Sequence, residues 1–257
     1  MKKQKFGFTL AEVLVAMGIL GVIGAMLIPQ VVSDTQKNEA GILLGNASEQ
    51  ISLGIKNIIQ HANEQAEGLA VFDTYDAITR SDLFGQGVTN AARSIREPDL
   101  FNNCSAFFGT QPLSEAEDTN YNPRAFASDS DLFSRNIASN RTTKYKSKNG
   151  MYFMTRESIR LALFPNRTPD TIINIVIVDV NGGDAPNRTG KDIFLFGITG
   201  RGDLVPAGTQ KYNTEAGGLL GAAAVPVMED GCADNNITNG LSCTARVVKD
   251  GFRIKYY

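Results

Sequence analysis

Few side chains in this 257-residue sequence can carry out acid–base, nucleophilic or multi-histidine metal chemistry. His61 is the only histidine, which weighs against Ser/His/Asp hydrolysis and against metal sites built from several histidines. The sequence contains neither a Walker loop nor a glycine-rich strand-to-helix turn for a nucleotide. The formal net charge of −2 provides no basic field for nucleic acid. The sequence therefore predicts a protein that is not an enzyme and has no nucleic-acid partner.

One polar stretch, from Asp179 to Asp192, concentrates oxygen atoms that suit a cation. Asp179, Asn181 and Asp184 offer the oxygen ligands that Ca²⁺ prefers. The stretch fails the EF-hand pattern, because Asp184 stands where that pattern requires glycine. The alternative is a turn in which Asn and Asp side chains bond their own backbone. We favour the turn and keep calcium at these three residues as the second interpretation; no other cofactor is expected.

The three cysteines indicate a compartment outside the cytoplasm. Cys232 and Cys243 are 11 positions apart in a stretch rich in Gly, Asn and Asp. This spacing closes a short loop and favours a disulfide, whereas a zinc site would require paired Cys-x-x-Cys motifs. Two unrelated thiols are the alternative interpretation. Cys104 is left over, and we expect it to be a buried thiol.

A membrane-spanning segment is predicted near the N-terminus. Val13–Val32 is a run of 20 positions without a charged residue, and a helix needs about 20 to cross the hydrocarbon core. Lys2, Lys3 and Lys5 precede the run, so the N-terminus should stay in the cytoplasm and the rest of the chain outside. A cleaved secretory signal is the alternative, but no Ala-x-Ala site follows the run.

The helical pattern continues beyond the apolar run. Apolar residues recur at steps of three and four, as on one face of a helix: Ala40, Leu44, Ala47, Ile51, Ile55, Ile58 and Ala62. We therefore predict one helix from about Phe8 to about His61, roughly 80 Å long. Its first half should span the membrane and its amphipathic second half should pack on a folded domain.

The apolar half carries features of helix packing and one buried charge. Gly18, Gly21 and Gly24 leave one side of the helix thin, which lets helices approach closely in lipid. Pro29 removes a backbone hydrogen bond and should kink or loosen the helix. Glu12 is a carboxylate in an apolar surrounding, where it needs a partner.

The stretch KFGFTLAEVLVAMGILGVIGAMLIP resembles the N-terminus of the type IV pilin and type II secretion pseudopilin family. The features that match are a basic leader ending in Gly7, then Phe8, Glu12, an apolar run and Pro29. The resemblance implies that prepilin peptidase cuts after Gly7 and that the new amino group of Phe8 is methylated. It also implies that the apolar segment is retained.

The resemblance gives Glu12 a role in assembly. In a bundle of subunits, the Phe8 ammonium of a neighbour can neutralise the Glu12 carboxylate, so that pairing fixes the axial register. The alternative is a carboxylate that snorkels to the cytoplasmic interface. Because some pseudopilins bind calcium in a loop near the sheet, the resemblance also keeps the calcium interpretation open.

The remainder of the chain predicts an α+β fold. We divide the chain into a leader (1–7), a long helix (8–62, with a membrane segment at 8–32), an irregular connection (63–150) and a β-region (151–257). Short helical pieces are expected around 73–84 and 88–97. Five runs after residue 150 are predicted as strands: MYFM, SIRLALF, TIINIVIVDV, DIFLFGIT and DLVP. The hairpin-length connections between them favour an antiparallel sheet, and the nearly continuous apolar third run suits a central strand covered on both faces. The final RVVKDGFRIKYY is expected to add a strand or edge after the disulfide loop, with Asp250-Gly251 as a turn.

These observations predict a structural subunit of a type IV pilus or a type II secretion pseudopilus. Its partners would be prepilin peptidase, copies of itself, other pilins or pseudopilins, and the inner-membrane assembly platform. It would cross the bacterial inner membrane once before joining a periplasmic or cell-surface filament. The alternative is an extracytoplasmic binding module, for adhesion or DNA uptake, with the helix as an anchor only.

Overall fold

The fold is taken from a computed structural model of the chain. It describes residues 9–65, 111–112, 126, 151–155, 158–165, 172–182, 184, 186–199, 202–215, 225–234 and 236–257. Predictions for Gly7, Phe8, Cys104 and the helical pieces at 73–84 and 88–97 lie outside the described residues. The division of the chain into four regions stays a prediction.

The first element, α1, is one continuous helix from Leu10 to Gln65. It ends four residues beyond the predicted end at His61, and it passes through Pro29 without interruption. The missing amide of Pro29 costs one backbone hydrogen bond, which a helix of this length tolerates. A kink at Pro29 stays a prediction.

The described strands of the main sheet run antiparallel, each paired with its neighbours in chain order. Their bounds are β1 Gln111–Pro112, β2 Met151–Met154, β3 Arg160–Pro165, β4 Ile172–Asp179, β5 Ile193–Thr199 and β6 Leu204–Pro206. The five strands predicted after residue 150 are thereby confirmed as β2 to β6. β4 and β5 lie inside the sheet, and Val176 of β4 is placed opposite Leu163 of β3 and Phe196 of β5.

Helix α1 covers one face of this sheet. Because successive strand residues point to opposite faces, Val176 and Val178 of β4 and Phe194 and Phe196 of β5 belong to the same layer. The predicted apolar face of α1 completes that layer with fully buried side chains from Leu44, Ala47, Ile51 and Ile55. The predicted arrangement, a long helix laid across an antiparallel sheet, is confirmed.

The opposite face of the sheet is also covered. Ile175, Ile177 and Leu195 pack there in a second buried cluster with Tyr212 of helix α2 (Gln210–Glu215). Burial on both faces explains why β4 reads as an almost continuous apolar run instead of an alternating one.

The C-terminal region differs from the prediction. Cys243–Lys249 forms a helix, α4, and the residues after Gly251 form no strand. The Thr244 hydroxyl accepts a hydrogen bond from the Leu195 amide at 2.9 Å, and the Arg246 guanidinium binds Asp250 one turn later at 3.1 Å. These contacts stabilise a helix that is hydrogen-bonded to β5, so the predicted strand or edge is wrong. The predicted turn at Asp250-Gly251 is present.

The predicted disulfide between Cys232 and Cys243 is confirmed, with the two Cα atoms 5.1 Å apart. Both cysteines are fully buried and belong to the layer between α1 and the sheet. The loop that they close contains a two-stranded hairpin of β7 (Cys232–Ala233) and β8 (Asn236–Ile237), which follows the short helix α3 (Met228–Gly231). The disulfide therefore fastens this hairpin to the start of α4.

The chain after α4 returns to α1 and packs against two glycines. A Cβ atom on Gly41 would lie 2.1 Å from the carbonyl oxygen of Phe252, and one on Gly45 would lie 3.3 Å from the Phe252 ring. Phe252 has a positive φ of 60°, and its amide donates to the Val247 carbonyl at 2.8 Å. The tail thus depends on a close approach that only glycine permits at position 41.

Gly41→Ala should destabilise the domain by about 1–3 kcal/mol, because the new methyl group meets rigid backbone. In an unconstrained helix the same change would stabilise by about 1 kcal/mol. The measurement is urea unfolding of the detergent-solubilised protein, followed by circular dichroism. Asn46→Ala, at an exposed position of the same helix, is the control and should shift stability by no more than about 0.5 kcal/mol. A Gly41→Ala variant as stable as the parent would show that the tail does not pack there.

Candidate functional site

Helix α1 begins with a reciprocal pair of hydrogen bonds between Thr9 and Glu12. The Glu12 Oε2 atom accepts from the Thr9 amide and from the Thr9 hydroxyl, both at 2.8 Å. The Glu12 amide donates to the Thr9 hydroxyl oxygen at 3.3 Å. This is a capping box, and the sequence Thr-Leu-Ala-Glu spells it directly. Our sequence analysis missed it, although the signal was present.

The capping box changes the interpretation of Glu12. The sequence predicts that this carboxylate needs a partner from a neighbouring subunit, but Thr9 of the same chain supplies two donors. Both bonds use Oε2, and among the described residues no donor reaches Oε1. Glu12 is also exposed. One carboxylate oxygen is therefore accessible to a donor from outside the subunit.

The apolar half of α1 has no cover from the described part of the chain. Leu10 is 79% exposed, and every large apolar residue from there to Val32 is exposed. By length and composition, this helix is able to cross a membrane, and none of its most apolar 18-residue stretch is buried inside the protein. The same helix thus offers a bare apolar surface in its first half and a buried face in its second half.

The glycines of the apolar half stand open. No atom lies within 4 Å of the place where a Cβ atom would be on Gly18 or Gly21, and on Gly24 it would touch only Ile28 of the same helix. Glu12 and Pro29 lie on this helix 17 residues apart, about 25 Å along its axis. Of the predicted assembly residues, the structure thus shows Glu12 and Pro29, both exposed but far apart along the helix and about 100° apart around its axis.

The three predicted calcium ligands take part in the turn after β4. Asp179 is fully buried, and its Oδ1 atom accepts from the Asn181 amide at 3.2 Å. The Asp184 amide donates to the Asn181 carbonyl at 3.4 Å, and the Asp184 side chain is exposed. Gly182 has a φ of +69°, and a Cβ atom there would lie 2.5 Å from the Ser158 carbonyl oxygen. These are features of a turn whose Asp and Asn groups hydrogen-bond to nearby backbone groups of the same turn.

Asp192 is the acidic residue that organises this loop. It accepts hydrogen bonds from the backbone amides of Asn187 at 2.6 Å and Arg188 at 2.5 Å, and from the Asn181 side chain. Burial raises the pKa of Asp192 to about 6 despite these donors. Because the Asn181 side chain is directed to Asp192, it is engaged within the protein. No group of three or more His, Cys, Asp or Glu side chains that could hold a metal occurs in the described ranges.

Removing calcium should leave the melting temperature unchanged within about 1 °C, because ligand-linked stabilisation requires binding to the folded state. The measurement is a thermal melt of the native protein with a chelator and with added CaCl₂. Asp184→Asn is the matched control and should behave as the parent in both buffers. A melting temperature that rises by several degrees with calcium, and stops responding in Asp184→Asn, would contradict the turn interpretation.

Comparison with known proteins gives a match at the N-terminus. Residues 2–28 match the family model described as the prokaryotic N-terminal methylation motif. No curated protein and no solved structure matches the chain. The matched segment contains Gly7, Phe8 and Glu12 and about a tenth of the chain. Residues 2–28 are thus the prepilin-type segment that precursors of type IV pilins and pseudopilins carry.

Proposed function

We propose that this chain is a pilin-like structural subunit that is cleaved between Gly7 and Phe8 and assembled through α1 into a filament. The filament would be a type IV pilus or a type II secretion pseudopilus. One observation carries the proposal: a helix that begins inside the methylation motif continues without interruption into the core of a folded domain. A segment that continues into the domain in this way stays attached to it in the mature protein, whereas a secretory signal is cleaved off and discarded. We infer a structural role and not an enzymatic one.

Burial energetics support storage in a membrane followed by packing among copies. The exposed apolar half, Leu10–Val32, is about 34 Å long, close to the thickness of a bilayer's hydrocarbon core. Leaving its large apolar side chains in water would cost about 1.5–3 kcal/mol each, so we infer that the segment lies in lipid or against other apolar helices. Its open glycines permit close helix–helix approach in either setting.

The disulfide supports a location of the folded domain outside the cytoplasm. Disulfides persist in oxidising compartments, and the Cys232–Cys243 bond lies in the buried layer of the domain. Lys2, Lys3 and Lys5 precede the apolar segment and favour a cytoplasmic N-terminus. The proposed topology is a single pass of the inner membrane, with prepilin peptidase and the assembly platform as partners at that membrane.

Glu12 is proposed to join neighbouring subunits. After cleavage, Thr9 would be the second residue of the chain, and the new ammonium group on Phe8 would be one residue away from the capping box. The Oε1 atom of Glu12 is the acceptor that we assign to the Phe8 ammonium of a neighbour, while Oε2 remains on Thr9. A charged hydrogen bond of this kind contributes about 1.5–3 kcal/mol, and more where water is excluded.

Two substitutions separate the cap from the charge. Glu12→Gln keeps an acceptor for Thr9 but removes the negative charge, so it should lower the amount of filament sheared from cells at least about tenfold. Thr9→Ala removes the side-chain partner of the capping box but keeps the charge, so most filament should remain. Immunoblots of sheared and cell-bound fractions measure both, and the processed mass of each variant shows whether cleavage still occurs.

The same pair of variants distinguishes assembly from anchoring. If the helix were only an anchor for a surface binding module, Glu12→Gln would leave the sheared fraction unchanged. Normal filaments in Glu12→Gln would therefore contradict the proposed role of the charge. Loss of filaments in Thr9→Ala alone would assign the effect to the cap instead.

A further inference from the structure

We propose that a cluster at the C-terminus rests on the phospholipid headgroups at the outer surface of the membrane that α1 spans. We call it the tail cluster, and it consists of Lys37, Phe126, Lys191, Tyr256 and Tyr257. The inference depends on the membrane insertion of α1 that is part of the proposed function. It adds a second membrane contact, made by the folded domain, that holds the domain at a fixed height before assembly.

The tail cluster is held together by ring and cation contacts. The Tyr257 ring centroid lies 5.5 Å from that of Phe126, in an edge-to-face arrangement, and 5.5 Å from that of Tyr256. The Lys37 ammonium lies 4.8 Å from the Tyr257 centroid, and the Lys191 ammonium lies 5.1 Å from it. Cations at these distances are attracted to the negative face of an aromatic ring.

Two neighbouring residues with different exposure orient the cluster. Tyr256 is buried, and its hydroxyl donates to the Gly190 carbonyl, so it fixes the tail on the domain. Tyr257 is 40% exposed although it is a large aromatic residue. The Lys37 side chain is only 16% exposed and Lys191 is half-buried. Tyr257 is therefore the most exposed residue of the cluster, with two ammonium groups beside its ring.

The height of the cluster along α1 places it at the membrane surface. The uncharged run ends at Val32, and Lys37 follows five residues later, about 7.5 Å along the helix axis. Each headgroup layer of a bilayer is about 5–8 Å thick, beyond a hydrocarbon core of about 30 Å. The tail approaches α1 at Gly41 through Phe252 and ends beside Lys37, so it runs towards the membrane. Tyr257 thus lies at the level of the phosphates.

The chemistry of the cluster suits a headgroup that carries both charges. Tyrosine is enriched at membrane–water interfaces, because its ring is apolar and its hydroxyl is polar. Lysine supplies donors for phosphate. In the described part of the chain, carboxylates also face the cluster: Asp34, 3.6 Å from the Lys37 ammonium, and the buried Asp192 next to Lys191. A mixed set of charges matches the phosphate and ammonium of phosphatidylethanolamine better than a purely anionic lipid.

The absence of tryptophan from the sequence provides a clean probe. In Tyr257→Trp the indole replaces the exposed ring and becomes the single fluorophore of its kind. The full processed chain is placed in vesicles of phosphatidylethanolamine and phosphatidylglycerol that contain a lipid with a nitroxide on its headgroup. We expect the fluorescence of Tyr257→Trp to be quenched by the headgroup nitroxide at least about threefold more than that of Lys56→Trp. Lys56 is exposed on the same helix, about 28 Å further from the membrane.

Two further variants complete the experiment. Leu20→Trp with a nitroxide deep in the acyl chain reports insertion of α1 and should be strongly quenched. Adding Lys191→Gln to Tyr257→Trp removes one cation and should lower headgroup quenching by half or more. The melting temperature should fall by no more than about 4 °C, because an exposed cation–π contact contributes about 0.5–1 kcal/mol. Quenching of Leu20→Trp but equal, weak quenching of Tyr257→Trp and Lys56→Trp would overturn this inference alone. An unquenched Leu20→Trp would overturn the membrane insertion as well.

Discussion

The structure depends on the packing of one face of α1 against the sheet. Leu44, Ile51 and Ile55 are fully buried there, which amounts to about 1.5–3 kcal/mol of transfer free energy for each side chain as an upper estimate. Because this face begins only after residue 39, the apolar half of the helix has no cover from the residues that the structure describes. The second half of this helix therefore packs in the core of the domain. The first half needs lipid or another protein to cover its apolar side chains.

The C-terminal tail adds further contacts between α1, the sheet and the end of the chain. Phe252 packs on Gly41 and Gly45, α4 is hydrogen-bonded to β5, and the disulfide joins the start of α4 to β7. Each connection links the last part of the chain to the layer that contains α1. In the proposed filament, forces applied to α1 would therefore be distributed through the sheet and the tail together. Such coupling suits a subunit that transmits load along an assembly.

Local patterns in the sequence were sufficient for the elements with a regular period. The steps of three and four after Ala40 identified the buried face of α1, and runs such as TIINIVIVDV identified the strands to within two residues at each end. The Cys232–Cys243 pairing followed from a short loop between two cysteines. In each case the information lies within a few residues of the element that it predicts.

The features that were missed have different physical causes. The close contact at Gly41 involves Phe252, about two hundred residues later, so no local pattern contains it. The C-terminal valines favour a strand by propensity, but a hydrogen bond from Leu195 to Thr244 and the disulfide at Cys243 hold this segment as a helix. The capping box at Thr9 was legible in the sequence. It was overlooked because Glu12 was considered only as a charge in lipid.

The central claim is that the apolar half of α1 stays attached to the domain in the mature protein and mediates its membrane insertion and assembly. The most direct test is the mass of the N-terminal peptide of the protein isolated from its native membrane. The account predicts a chain that begins at Phe8 with a methylated amino group. A chain that retains Met1 to Gly7, or one that begins beyond Val32, would contradict it.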